Sequence, residues 1–118
     1  MFLKLNHQRL DIYEISRQFG LECYRLTKKL PAEEKFGMIT QIRRAALSVH
    51  LNIAEGASRK SETERKRYYE VACGSVIEMD ASLDIAGDLD YLKITQTDTL
   101  AKSMVNCFKM LTGMIKPK

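Results

Sequence analysis

The sequence predicts an all-α protein: an antiparallel up-down-up-down four-helix bundle forming a single domain over residues 1–118. Three observations predict it. Apolar residues recur at steps of three and four in four separate segments, while alternation at period two is nowhere sustained. Of the two prolines, only Pro31 is internal. The connections left between the periodic segments are short, which favours antiparallel neighbours.

The first helix is expected over 8–30. Its stripe is Ile12, Ile15, Phe19, Cys23, Leu26 and Leu30, and Pro31 breaks it. The second is expected over 33–57. Pro31-Ala-Glu-Glu sets acids in its first turn, where the helix dipole favours them. Ile39, Ile42, Ala46, Val49 and Ile53 form its core stripe, and Gly56 is a natural stop, with the end falling there or a residue or two later. The third is expected over 62–90, opened by a capping box of Ser61 and Glu64. Its stripe is Tyr68, Ala72, Ser75, Met79, Ser82, Ala86 and Leu89, widened by Val76 and Leu83. After a turn around Asp90 to Thr97, the fourth helix is expected over 98–115, with Leu100, Met104, Cys107, Leu111 and Met114 or Ile115 inward.

Composition agrees with a folded soluble domain. An apolar share of 45% and a charged share of 29% are globular values. No apolar run is long enough for a transmembrane helix. Met1-Phe-Leu-Lys-Leu-Asn-His-Gln lacks the pattern of a signal peptide, so a cytoplasmic location is expected. Cys23, Cys73 and Cys107 are odd in number and far apart, which favours reduced thiols over disulfides or zinc ligands.

The second helix carries two further signals. Leu47, Leu51 and Ala54 lie roughly 140–200° around from its core stripe, at about 100° per residue. A helix apolar on two faces is enclosed on both sides. Leu47 and Leu51 are therefore candidates for an oligomer interface; the alternative is that they tuck under a loop or a neighbouring helix. Between the faces runs a polar line of Gln41, Arg44, Ser48, Asn52 and Glu55. Buried polar groups need partners. Ser75 and Glu78 on the third helix are the candidates, and Ala72, Gly74 and Ser75 would permit close approach. Gln41, Ser48, Asn52, Glu55, Ser75 and Glu78 thus read as a structural polar network that fixes register.

Catalytic and cofactor chemistry finds little support. A di-iron bundle needs Glu-x-x-His on two helices. The only histidines are His7 and His50, and the residues three before them are Lys4 and Leu47. No phosphate loop, nucleophile elbow or EF-hand loop is present. Asp80, Asp84 and Asp88 form a ladder, but pairing with neighbouring cations explains it better than a metal does. The expectation is a non-enzyme with no catalytic residue, no cofactor and no metal site.

Charge is the remaining signal. The net charge is +4, yet residues 61–90 carry three Lys/Arg against eight acids. That acidic segment begins with a basic cluster: Arg59, Lys60, Arg65, Lys66 and Arg67 gather around the expected start of the third helix. These five are candidates for phosphate contacts with RNA or DNA, with Arg43 and Arg44 secondary. Glu62 and Glu64 dilute the field, and an ordinary solvated surface is the alternative.

Gln41-Ile-Arg-Arg-Ala-Ala-Leu-Ser48, Asn52-Ile-Ala-Glu-Gly56, Arg59 and Ala72-Cys-Gly-Ser-Val-Ile-Glu78 carry a resemblance. The chain resembles the bacterial four-helix-bundle family called ribosomal protein S23, or 23S rRNA intervening-sequence protein. That family is in turn similar to the accessory protein of diversity-generating retroelements. The resemblance spans nearly the whole chain. It implies a bundle, a homopentamer, and association with nucleic acid or with a protein partner such as a reverse transcriptase. It brings no catalytic residues. The chain departs from the family pattern in having Asp90 where Gly is frequent, and in its Tyr68-Tyr69 pair. The rival functional reading is a protein–protein interaction module that uses the Leu47/Leu51 face and the acidic third helix.

Overall fold

A computed structural model describes residues 2–5 and 10–117, apart from the side chains of Ile94 and Gln96. Among the described residues, four α-helices make up the fold: α1 Asp11–Thr27, α2 Met38–Ala57, α3 Glu62–Asp88 and α4 Ile94–Ile115. Each packs on its chain neighbours, and α1 closes the circuit on α4. Contacts fix the directions of the first three helices. Ser16 meets His50 while Thr27 meets Arg43, so α1 and α2 run oppositely. Ser48 meets Ser75 while Gln41 meets Glu78, so α2 and α3 do too.

Two helix starts differ from the expectation. The second helix begins at Met38 and not at 33. Pro31 instead opens a short 3₁₀ turn, Ala32–Glu34. Gly37, at φ −111° and ψ −102°, then leaves the helical region before α2 starts. The fourth helix begins at Ile94 and not at 98, because the preceding turn is tightly closed. Asp90 adopts φ 59°, its N–H bonds the Gly87 carbonyl at 3.0 Å, and the Tyr91 N–H bonds the Ala86 carbonyl at 2.9 Å. This is a Schellman closure with aspartate in the left-handed position. The expected start of the first helix at residue 8 lies outside the described residues.

The core follows the periodic stripes closely on three helices. Phe19, Cys23, Ile42, Val49, Ile53, Cys107 and Leu111 are fully buried. On α3 the stripe is rotated by one residue at its start: Tyr69 is buried, whereas Tyr68, expected in the core, is half-buried. Leu89 is exposed as well. Gly56 explains the tyrosines. A Cβ there would stand 2.8 Å from the Tyr68 Cβ and 2.9 Å from Tyr69 Cε1, so the base of Tyr68 and the ring of Tyr69 both need a bare backbone at this position. The second helix ends at Ala57, one residue past Gly56, as the sequence predicts.

Cys23, Cys73 and Cys107 are free thiols. Burial pushes the Cys23 and Cys107 thiols up to about 12, so neither supplies a thiolate near neutral pH. Among the described residues, no buried side-chain polar atom lacks a hydrogen-bond partner. No described helix is long and apolar enough to cross a membrane.

Candidate nucleic-acid interface

The turn between α2 and α3 is built by its own side chains. Ser58 donates its hydroxyl to the Glu55 carbonyl at 2.7 Å, closing the end of α2. Ser61 accepts from the Glu64 N–H at 3.0 Å, opening α3. Arg65 reaches back and donates to the carbonyls of Arg59 at 3.0 Å and Lys60 at 2.7 Å. These bonds satisfy two carbonyls of the turn itself, between the end of α2 and the start of α3.

The five candidate cations therefore divide. Arg65 is spent on the turn backbone. Arg59 lies over the Tyr68 ring at 4.9 Å, donates to its hydroxyl at 3.0 Å and pairs with Glu55 at 3.4 Å. Lys66 pairs with Glu62 at 3.5 Å. Lys60 and Arg67 are exposed and engage no acid among the described residues. They are the turn's free positive charge, with Arg59 held rigidly beside them.

Arg43 and Arg44 stand apart. They lie near the start of α2, roughly 20 Å along the helix from the turn at about 1.5 Å per residue. Arg43 donates to Thr27 Oγ1 at 2.7 Å and to the Tyr24 carbonyl at 3.3 Å, and its guanidinium covers the Tyr24 ring at 4.9 Å. It pins α2 to the end of α1. Arg44 pairs with Glu78 at 3.6 Å and donates to Gln41 at 3.3 Å.

The polar line is split into three groups. Gln41 and Arg44 meet Glu78 at the upper rim of the α2–α3 seam. In its middle, the Ser48 and Ser75 hydroxyls lie 2.9 Å apart, and Asn52 donates to the Ser48 carbonyl at 2.8 Å and hydroxyl at 3.1 Å. Glu55 turns to Arg59 and joins the basic turn. Gly74 does not mediate close approach of α2 and α3, contrary to the sequence expectation. It is exposed on the outward face of α3, with nothing within 4 Å of where a Cβ would be.

The apolar surface extends further than Leu47 and Leu51, which are 46% and 50% exposed. Leu47 borders a shallow groove with Leu21, Tyr24 and His50. Val71, Ile77 and Ile85 on the outward face of α3 are also exposed. That second apolar face was readable as Val71, Gly74, Ile77, Ala81 and Ile85 at helical spacing, but the acids among them mask the pattern. Asp80, Asp84 and Asp88 line a groove between α3 and α4, with Lys93 beside them. Among the described residues, no three His, Cys, Asp or Glu side chains gather as a metal site. His50 accepts or donates a 2.7 Å bond with Ser16 and stacks obliquely on Tyr13; His7 lies outside the described residues.

Comparison with known proteins adds the following. A family model described as 23S rRNA-intervening sequence protein matches residues 8–113. Among curated proteins, none matches. A crystal structure from Bacteroides thetaiotaomicron VPI-5482, of a protein with unknown function from the S23 ribosomal protein family, superposes with a TM-score of 0.82. It is 24% identical, and the match covers 90% of this chain and 99% of that one. At that identity the likeness speaks for the fold alone.

Proposed function

The chain belongs to the 23S rRNA-intervening sequence protein family, and from that premise we propose a non-catalytic bundle protein that binds RNA or DNA through the α2–α3 turn. One observation carries the reading: Lys60 and Arg67 engage no acid among the described residues and stand beside an Arg59 stacked on Tyr68, on a turn whose backbone Arg65 braces. Unpaired cations on a braced turn meet phosphates without first breaking an ion pair. The family description, which refers to 23S rRNA, favours RNA as the first ligand to try.

Assembly strengthens the same reading. The exposed Leu47 and Leu51 support a contact between copies, and the family resemblance favours five. A closed ring would repeat the basic turn around its axis and multiply the field. The three free thiols suit a reducing cytoplasm.

A second reading, a protein–protein interaction module, is supported by the apolar and acidic outward face of α3. Titrating a structured RNA and a DNA duplex at low salt separates the two. Binding that weakens steadily with salt supports the nucleic-acid reading. Absence of binding to either overturns it and favours the protein partner. Light scattering after size exclusion tests the assembly, and a clean monomer would refute the Leu47/Leu51 contact.

A further inference from the structure

We infer that the pocket beside the basic turn seats one unpaired guanine base of a bound strand. This rests on the nucleic-acid reading and adds a base-specific contact to it. The pocket, about 410 Å³, is lined by Asn52, Glu64, Arg67, Tyr68 and Val71, and falls within the range of small-molecule sites, ~300–1,000 Å³. Glu64, Arg67, Tyr68 and Val71 share one face of α3 by their spacing. Asn52 comes from α2.

The hydrogen-bond state of each wall defines the ligand. The Asn52 side chain gives its nitrogen to the Ser48 carbonyl, which can only accept. That contact identifies the amide's two ends and leaves Oδ1 as an acceptor without a donor among the described residues. The Glu64 N–H bonds Ser61, but the Glu64 carboxylate does not return to the Ser61 N–H, so the capping box is half made. That carboxylate and the Arg67 guanidinium form no ion pair among the described residues, though both line the same pocket. Tyr68 contributes an aromatic ring already braced by Arg59.

Two acceptors, one guanidinium and one ring make a selective set. Guanine presents two adjacent N–H donors, which a carboxylate can take together, beside an O6 acceptor suited to arginine. Adenine, cytosine and uracil lack that pair of donors. A splayed base stacks readily on an aromatic side chain, so the strand must be unpaired there. RNA and DNA offer the same base.

The test uses labelled adenine-rich single strands with one central guanine, adenine, cytosine or uracil, made in RNA and, with thymine for uracil, in DNA. Anisotropy at fixed low salt reads the affinity. The guanine strand should bind about tenfold more tightly. Glu64→Gln should reduce that preference to about twofold while leaving the salt dependence unchanged, since its exposed side chain makes no bond among the described residues. Tyr68→Ser should weaken the guanine strand most; if it perturbs folding by circular dichroism, Glu64→Gln decides alone. A guanine preference in RNA or DNA alone supports the seat and identifies its source. Equal binding of all four bases overturns the seat but leaves the nucleic-acid reading standing. No binding of any strand overturns both.

Discussion

Gly56 and Tyr68 bring α2 and α3 into close contact: a Cβ on Gly56 would lie 2.8 Å from the Tyr68 Cβ and 3.2 Å from the Arg65 carbonyl oxygen. Neither is the loose end of a flexible side chain, so the helices would have to move apart. Gly56→Ala should cost about 1–3 kcal/mol, an overpacking penalty that exceeds the gain in helix propensity. Urea unfolding followed by circular dichroism measures it.

Gly74 should respond in the opposite direction. Nothing stands within 4 Å of its Cβ position, and it lies in the interior of α3. In an isolated bundle, Gly74→Ala should raise stability by roughly 0.5–1 kcal/mol through propensity alone. Unfolding at micromolar concentration checks this. A loss would mean that another copy covers the outward face of α3.

Much of this fold was legible. The stripe from Ile42 to Ile53 and the capping role of Ser61 follow from spacing and side-chain chemistry. The Tyr68–Tyr69 order was not legible. Both are aromatic, and the choice depends on an arginine nine residues earlier that stacks on Tyr68. Nor was the role of Gly74, since a small residue fits equally under a neighbouring helix or on an open face. In the basic cluster, residue types marked the turn. Which cations are free depends on backbone carbonyls that Arg65 reaches only after folding.

Asp90 is the described non-glycine residue with positive φ, at 59°. Aspartate tolerates that region better than most residues, but glycine enters it without a steric cost. Asp90→Gly should leave stability level or raise it by about 0.5–1 kcal/mol, read as a higher melting temperature. A drop of that size would mean the Asp90 side chain holds the turn.

Alkaline pH should destabilise the fold through its buried thiols. Cys23 and Cys107 are pushed from an ordinary 9.0 up to about 12, chiefly by desolvation. Their folded-state values are raised, so their full contribution is present below the unfolded value and is lost as pH rises from about 9 towards about 12. Each can remove up to about 1.4 kcal/mol per pH unit in that window. The urea midpoint should be level to about pH 8 and then fall, and Cys107→Ala should flatten the fall.

The most direct test of the central claim is the salt dependence of RNA binding by Lys60→Gln/Arg67→Gln against the unmodified protein. If these two free cations contact phosphates, the slope of log affinity against log salt should shrink by about 1.4–1.8, the counterion release of two contacts. An unchanged slope with RNA still bound would contradict the assignment of the α2–α3 turn as the binding surface.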